Sequence, residues 1–218
     1  EIFMDSTTAS SRQRRKEARP AELAAAALAL FVEKGFAATR LDNVAARAGV
    51  SKGTLYLYFD SKEALFRAVI EESVLPLIEA SEARVVANLD DPARLLRALL
   101  VEWWECFGAT PLGGTCKLMI SEAGNFPEVA AYFNEAVIGR WSALLRQVIE
   151  AGIARGVFRP GSPEALRQMV FHPLLMQSVL QHSTLAGPPG RALPEQYFDT
   201  YFDFILRGLG AADTQEPR

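Results

Sequence analysis

Histidine and cysteine are scarce in this chain, with two of each among 218 residues. His172 and His182 stand ten apart, and Cys106 and Cys116 form no CxxC pair, so no familiar metal-ligand spacing is present. Two cysteines also fall short of a disulfide framework, which favours a reducing, cytoplasmic setting; their default role is that of small buried hydrophobes. There is no glycine-rich phosphate loop and no locatable Ser-His-Asp set. Nothing therefore supports an enzyme, a metal site or a cofactor. Long apolar runs are missing as well. The longest, AELAAAALALFV at residues 21–32, is mostly alanine and ends at Glu33 and Lys34, well short of the ~20 residues that span a bilayer. No membrane segment is expected. The opening EIFMDSTTASS lacks both a charged start ahead of an apolar block and a small-residue cleavage site, and reads as a disordered leader. Alternating apolar and polar residues of the kind that make strands are also absent, so the chain reads as all-α.

Charge is unevenly spread. The net value of −3 conceals a basic stretch, Arg12 to Arg67, with eleven Lys and Arg against six Asp and Glu, and an acidic remainder. One module is thus suited to a polyanion and the other is not. Helix signals divide the chain accordingly. Pro20 to Lys34 forms a first helix closed by Gly35; Thr39 caps a second, with Asp42 three residues on; Ser51 caps a third, Lys52 to Phe59; and Asp60 caps a fourth, with Glu63 in the box position. Pro76 predicts a kink or break near Val74. Beyond it, helices are expected over Pro92 to Gly108, Lys117 to Ala123, Pro127 to Ala154, Pro163 to Leu185 and Glu195 to Leu209. The expected domains are a disordered basic arm at 1–19, a helix-turn-helix module at 20–66, a larger helical domain at 67–210 and a disordered tail at 211–218.

The stretch VAARAGVSKGTLYLYFDSKEALF, residues 44–66, holds a helix, a glycine turn and a second helix. In that arrangement the second helix enters the DNA major groove. With Leu55 facing inward, Phe59 falls on the same side, Gly53 and Leu57 fall opposite, and Thr54 and Tyr56 lie to either side. Leu57 suits thymine methyls, Thr54 a base edge, and Gly53 a close backbone approach. Lys52, Lys62, and the pair Thr39 and Arg40 stand at helix starts, where backbone N–H groups already favour phosphate. Arg14 and Arg15, with Arg12, Lys16 and Arg19, form an arm for the backbone or minor groove. Taken singly, each charge is equally well an ordinary solvated one, and Tyr56 and Tyr58 suit partly buried packing.

The segment GFAATRLDNVAARAGVSKGTLYLYFDSKEALF resembles the N-terminal signature of the tetracycline-repressor-like (TetR) family of bacterial transcription regulators. It matches at Ala48, Gly49, Val50, Ser51, Leu55, Tyr56, Tyr58, Phe59, Lys62 and Glu63. The resemblance implies that Lys52, Thr54, Tyr56, Tyr58 and Lys62 meet double-stranded operator DNA. Further on, LMISEAGNFPEVAAYF and FHPLLMQSVL are similar to an AefR-like C-terminal subgroup.

The larger domain is rich in bulky apolar groups, most of which must be core. An effector cavity for a small apolar molecule is expected among Trp103, Trp104, Phe107, Phe133, Trp141 and His172. For His172, a hydrogen-bonded structural role competes with ligand contact. The last helix carries Phe198, Phe202, Ile205 and Leu209 at helical spacing. The expectation is that they pair with their copies in a homodimer, as the resembled family does; the alternative is that they line a monomer core. The fourth helix is expected to carry the effector signal to the DNA-binding module. The whole points to a repressor released from a pseudo-palindromic operator by its effector, with an effector-free architectural DNA binder as the competing reading.

Overall fold

The computed structural model describes residues 6–184, 193 and 196–210, with side chains described from Arg19 onward. The expected tail at 211–218 lies outside the described residues. The chain divides into two units, residues 1–73 and 74–218. This boundary falls later than residue 66 because the fourth helix, α4 (Lys62–Ser73), packs along the first, α1 (Ser6–Lys34).

Helix α1 starts well before Pro20, so the backbone of residues 6–19 is helical where a disordered arm was expected. Arg, Gln, Lys, Glu and Ala dominate residues 12–19 and are strong helix formers, so the loss of one hydrogen bond at Pro20 interrupts rather than ends the helix. Leu23, Ala27, Leu30 and Phe31 form its buried face. They meet Leu65, Phe66, Val69 and Ile70 of α4, and Phe31, Phe36 and Phe66 form a ring cluster with centroids 5.0–6.1 Å apart.

Between these helices lie α2 (Leu41–Arg47) and α3 (Lys52–Tyr56). Two expected caps are corrected. The N-cap of α2 is Arg40, without a side-chain bond. Thr39 instead shares its hydroxyl hydrogen between the Gly35 carbonyl at 2.7 Å and the Leu30 carbonyl at 3.2 Å, which ties it back to the end of α1. At the start of α4, Ser61 Oγ accepts from the Ala64 N–H at 3.1 Å, the role expected of Asp60.

In the second unit the break at Val74 is present, and Pro76 lies in the first turn of α5 (Leu75–Asn88), where its missing N–H costs nothing. Asp91 caps α6 (Pro92–Trp103), which runs into a π-helical segment, Trp104–Gly108. A tight turn at Pro111–Gly113 leads to α7 (Gly114–Glu122) and α8 (Pro127–Phe133). The single helix expected over Pro127 to Ala154 is helical throughout, but a π segment at Asn134–Gly139 separates α8 from α9 (Arg140–Ala154). Ser162 caps α10 (Pro163–Gln181), and α11 (Tyr197–Leu209) closes the unit. Helix α9 is central. It packs against α5, α6 and α10 through a face that includes Leu144, Leu145, Val148 and Ile149. Among the described residues the only extended pairing is one isolated bridge, Phe158 to Gly210.

Candidate nucleic-acid interface and ligand cavity

Local chemistry fixes the turn between α2 and α3. Gly49 has φ +66°, a left-handed conformation that L side chains resist, and the Val50 N–H returns to the Ala45 carbonyl at 3.0 Å. Ser51 then accepts from the Thr54 N–H at 3.1 Å, and its oxygen lies 2.8 Å from the Thr54 hydroxyl. Leu55 is fully buried and anchors α3. Leu57 points outward and is 83% exposed, beside exposed Tyr56, Gly53 and Lys52. Helix α3 is shorter than expected, ending at Tyr56 with Leu57 as its C-cap, while Phe59 is half-buried rather than fully inward.

The basic residues divide by what holds them. Lys52 pairs with Asp42 at 3.0 Å, both exposed, and this hydrogen bond raises the pKa of the ammonium. Arg47 grips Glu33 with two bonds of 2.7 Å. Arg40 is exposed. Lys62 is half-buried and donates to the carbonyls of Phe36 at 3.0 Å and Ala37 at 3.2 Å, with its ammonium 4.7 Å from the Phe36 ring centre. Thr39 is 3% exposed and its hydroxyl is engaged internally, so its side chain is not part of the outward surface. The side chains of Arg14 and Arg15 lie outside the described residues.

In the second unit, a cavity of about 30 Å³ lies beside α5. Three of the six expected ligand residues line it: Trp103, Phe107 and Trp141. The others do not. Trp104 packs edge-on against Phe198 with centroids 5.6 Å apart, and Phe133 is buried outside the cavity lining. His172 is exposed in a separate groove of about 640 Å³ between α10 and α11, so its expected place in an apolar interior is corrected. Sequence reasoning missed Val74, the N-cap of α5, and Leu77, Ile78 and Ser81 within that helix, although their spacing of three, one and three residues marks a helical face. The two π segments supply Cys106, Phe107 and Val137, widening the helices where they meet the cavity. Bidentate pairs hold α5 on both sides, with Arg84 on Glu102 of α6 at 2.6 and 3.2 Å and Arg140 of α9 on Glu82 at 2.9 and 2.7 Å.

The stripe expected at a homodimer interface also turns inward. Phe202, Ile205 and Leu209 are buried within the chain, and Phe198 covers Trp104. The exposed apolar side chains of this region are Met169, Met176 and Phe204, the last 75% exposed. No helix among the described residues is long and apolar enough to cross a membrane.

Comparison with known proteins agrees with this architecture. The family described as bacterial regulatory proteins, tetR family, matches residues 23–69, and the tetracyclin repressor-like C-terminal domain matches residues 84–200. The HTH-type transcriptional repressor NicS of Pseudomonas putida is 30% identical over 134 residues, which cover 62% of this chain and 63% of that protein. The HTH-type transcriptional regulator EthR of Mycolicibacterium smegmatis is 28% identical over 201 residues, 89% of this chain and 90% of that one. Among solved structures, the TetR family regulator PfmR from Thermus thermophilus superposes with a TM-score of 0.69 at 26% identity, covering 86% of this chain and 98% of its own. The fatty acid degradation regulator FadR from Bacillus halodurans, at 21% identity, has a TM-score of 0.70 over the same shares, a likeness of fold alone. An exposed helix-turn-helix in one unit, an all-helical second unit and family models over both lead to one conclusion: the chain belongs to the tetR family of bacterial transcription regulators.

Proposed function

We propose that this regulator binds a pseudo-palindromic DNA operator as a homodimer in the cytoplasm and, as a repressor, is released from it by a small apolar effector held beside α5. The observation that carries the DNA reading is the outward face of α3. A leucine 83% exposed, next to a glycine and with Thr54 and Tyr56 on its flanks, is poor surface toward water and good surface toward base edges. Lys52, Arg40 and the N-terminal arginines Arg14 and Arg15 provide phosphate contacts in this reading, and Tyr56 and Tyr58 border the groove. The groove between α10 and α11, lined by Met169, His172 and Phe204 together with Ile205 and Leu209 of the expected stripe, is the dimer face in this reading, with the exposed Met176 of α10. The effector reading rests on the cavity and on Val74, which lines it. Val74 is also the residue at which the chain passes from the DNA-binding unit into the second unit. A ligand that moves Val74 thus acts at the end of α4, and a typical coupling of ~1–3 kcal/mol would loosen DNA by ~5 to 150-fold.

Selection of DNA by the full chain from a random pool tests this reading. Two-fold-related half-sites should emerge, with centres about 34 Å or a multiple apart, and binding should weaken steeply with salt. Leu57→Ala should change base preference at a cost of ~1–3 kcal/mol per lost contact. Equal affinity for all sequences, or a Leu57→Ala variant indistinguishable from the parent, would overturn it.

A further inference from the structure

Two hydroxyls at the start of α3 are tied to one another. Ser51 precedes the helix in an extended conformation, φ −69° and ψ 152°, and its oxygen accepts from the Thr54 N–H at 3.1 Å. The same oxygen lies 2.8 Å from the Thr54 hydroxyl, so one of the two hydroxyls donates to the other. Among the described residues neither has a further partner. The direction of this bond decides what Thr54 shows to a base edge.

A hydroxyl oxygen has one hydrogen and two accepting positions. If Thr54 donated, Ser51 would accept twice and Thr54 would face outward with lone pairs alone. If Ser51 donates, the bonds run head to tail, from the Thr54 N–H into Ser51 Oγ and from Ser51 into Thr54 Oγ1, and the Thr54 hydrogen is left pointing away. Hydrogen bonds in such a chain polarise and strengthen one another, which two bonds into one oxygen do not. The head-to-tail order is therefore the favoured one. It turns a hydroxyl able to take either role into a donor.

Resting on the reading of α3 as the helix that meets base edges, we infer that Ser51 is a positioning residue for sequence recognition: by donating to Thr54 Oγ1 it commits the Thr54 hydroxyl to a keto oxygen, guanine O6 or thymine O4, rather than to an amino group. Selection of DNA by the full chain fixes the parent operator, and Thr54→Val identifies the base pair Thr54 reads as the position where preference is lost. Every base pair carries one keto oxygen and one amino group in the major groove, G O6 with C N4 or T O4 with A N6. At that pair the keto oxygen is deleted by 2-aminopurine for guanine or 5-methyl-2-pyrimidinone for thymine, and the amino group by 2-pyrimidinone for cytosine or purine for adenine. Loss of the keto oxygen should weaken the parent ~2- to 10-fold relative to Thr54→Val, the scale of one hydrogen bond, and loss of the amino group should not. Ser51→Gly keeps most of the capping and should shrink the keto effect. Ser51→Asp caps as well but only accepts, so the Thr54 hydrogen turns inward and dependence passes to the amino group. The added charge lowers affinity for all sequences alike and leaves that ratio readable. A keto effect unchanged in Ser51→Gly, dependence on the amino group in the parent, or a uniform loss for every sequence in both Ser51 variants, as a purely structural cap predicts, would overturn the assignment. A parent operator with no position sensitive to Thr54→Val defeats this inference alone, whereas a parent that selects no sequence defeats the operator reading with it.

Discussion

Replacing Lys62 by methionine separates a lysine that positions the DNA-binding unit from one that merely meets phosphate. Methionine keeps much of the apolar stem and removes the donors. The losses include two hydrogen bonds and one ring contact. The Ala37 carbonyl belongs to an exposed residue and can turn to water, so its bond contributes little; Phe36 is fully buried, and its carbonyl loses a charged donor worth ~1.5 kcal/mol at the lower end of such bonds. The ammonium over the Phe36 ring adds ~0.5–1 kcal/mol for a partly exposed site. Together these give about 2 kcal/mol, or roughly 30-fold at a factor of ten per ~1.4 kcal/mol. Amide exchange in the full chain reads this directly, because buried amides of α1 and α4 that exchange through opening of this unit should do so about 30-fold faster. DNA affinity, corrected for the folded fraction, should then change little. Unchanged exchange together with a uniform loss of affinity for every DNA sequence would refute the structural role and restore the phosphate contact implied by family resemblance.

Gly49→Ala would meet no atom within 4 Å, so its cost should be the left-handed backbone alone, ~1–2 kcal/mol by urea titration, with Gly49→Asn losing less. Asp42→Asn should tighten DNA binding at low salt, since it removes the carboxylate that competes with phosphate for Lys52; weaker binding would contradict this competition. Burial lowers the His182 pKa, against the raising effect of hydrogen bonds to the Gly108 and Thr110 carbonyls. The unfolded chain therefore takes up the proton first, so the associated stability is present above the ordinary value of ~6.5 and is lost as pH falls below it. Urea midpoints at pH 7.5 and 5.5 should converge in His182→Gln. Burial pushes the Cys116 thiol up to about 12, whereas Cys106 is exposed. Iodoacetamide should label Cys106 in the native chain and Cys116 only after unfolding.

The DNA-binding unit was legible because its signals are local. Gly49, Ser51 and Leu55 lie within seven residues, and each has one physical role that a neighbour cannot take over. Caps were less secure. Thr39 followed by Asp42 has the pattern of a capping box, but the carbonyls of Leu30 and Gly35 claim the hydroxyl, and nothing in the immediate sequence announces that competition. In the second unit, periodicity identified a helix without identifying what it faces. The regular stripe Phe198, Phe202, Ile205 and Leu209 reads as a face for a second copy, yet most of its surface covers the chain's own core, with Ile205 and Leu209 also lining the groove between α10 and α11. The exposed face instead carries Phe204 of α11 and, three and four residues apart, Met169, His172 and Met176 of α10. His172 lies outside its expected place for a related reason. Its neighbours Phe171 and Leu174 are buried, but a helix sends adjacent positions in different directions, and apolar composition does not record which.

The net positive charge of the first unit also overstates what is presented to a polyanion, because hydrogen bonding sorts its cations into unlike classes. Lys62 is half-buried on backbone carbonyls that cannot follow it elsewhere, so moving it toward phosphate would break a charged hydrogen bond to the buried Phe36 and uncover the ring beneath. Lys52 and Asp42 are both well exposed, and such a pair is weak and screened by salt, so phosphate can displace the carboxylate without disturbing the fold. Arg47 and Glu33 are exposed too, yet their two parallel bonds join α2 to α1 and orient the helix that precedes the recognition turn. Three basic residues with equal formal charge thus differ in the work needed to redirect them. That ordering, rather than the charge count, decides which of them a nucleic acid can recruit.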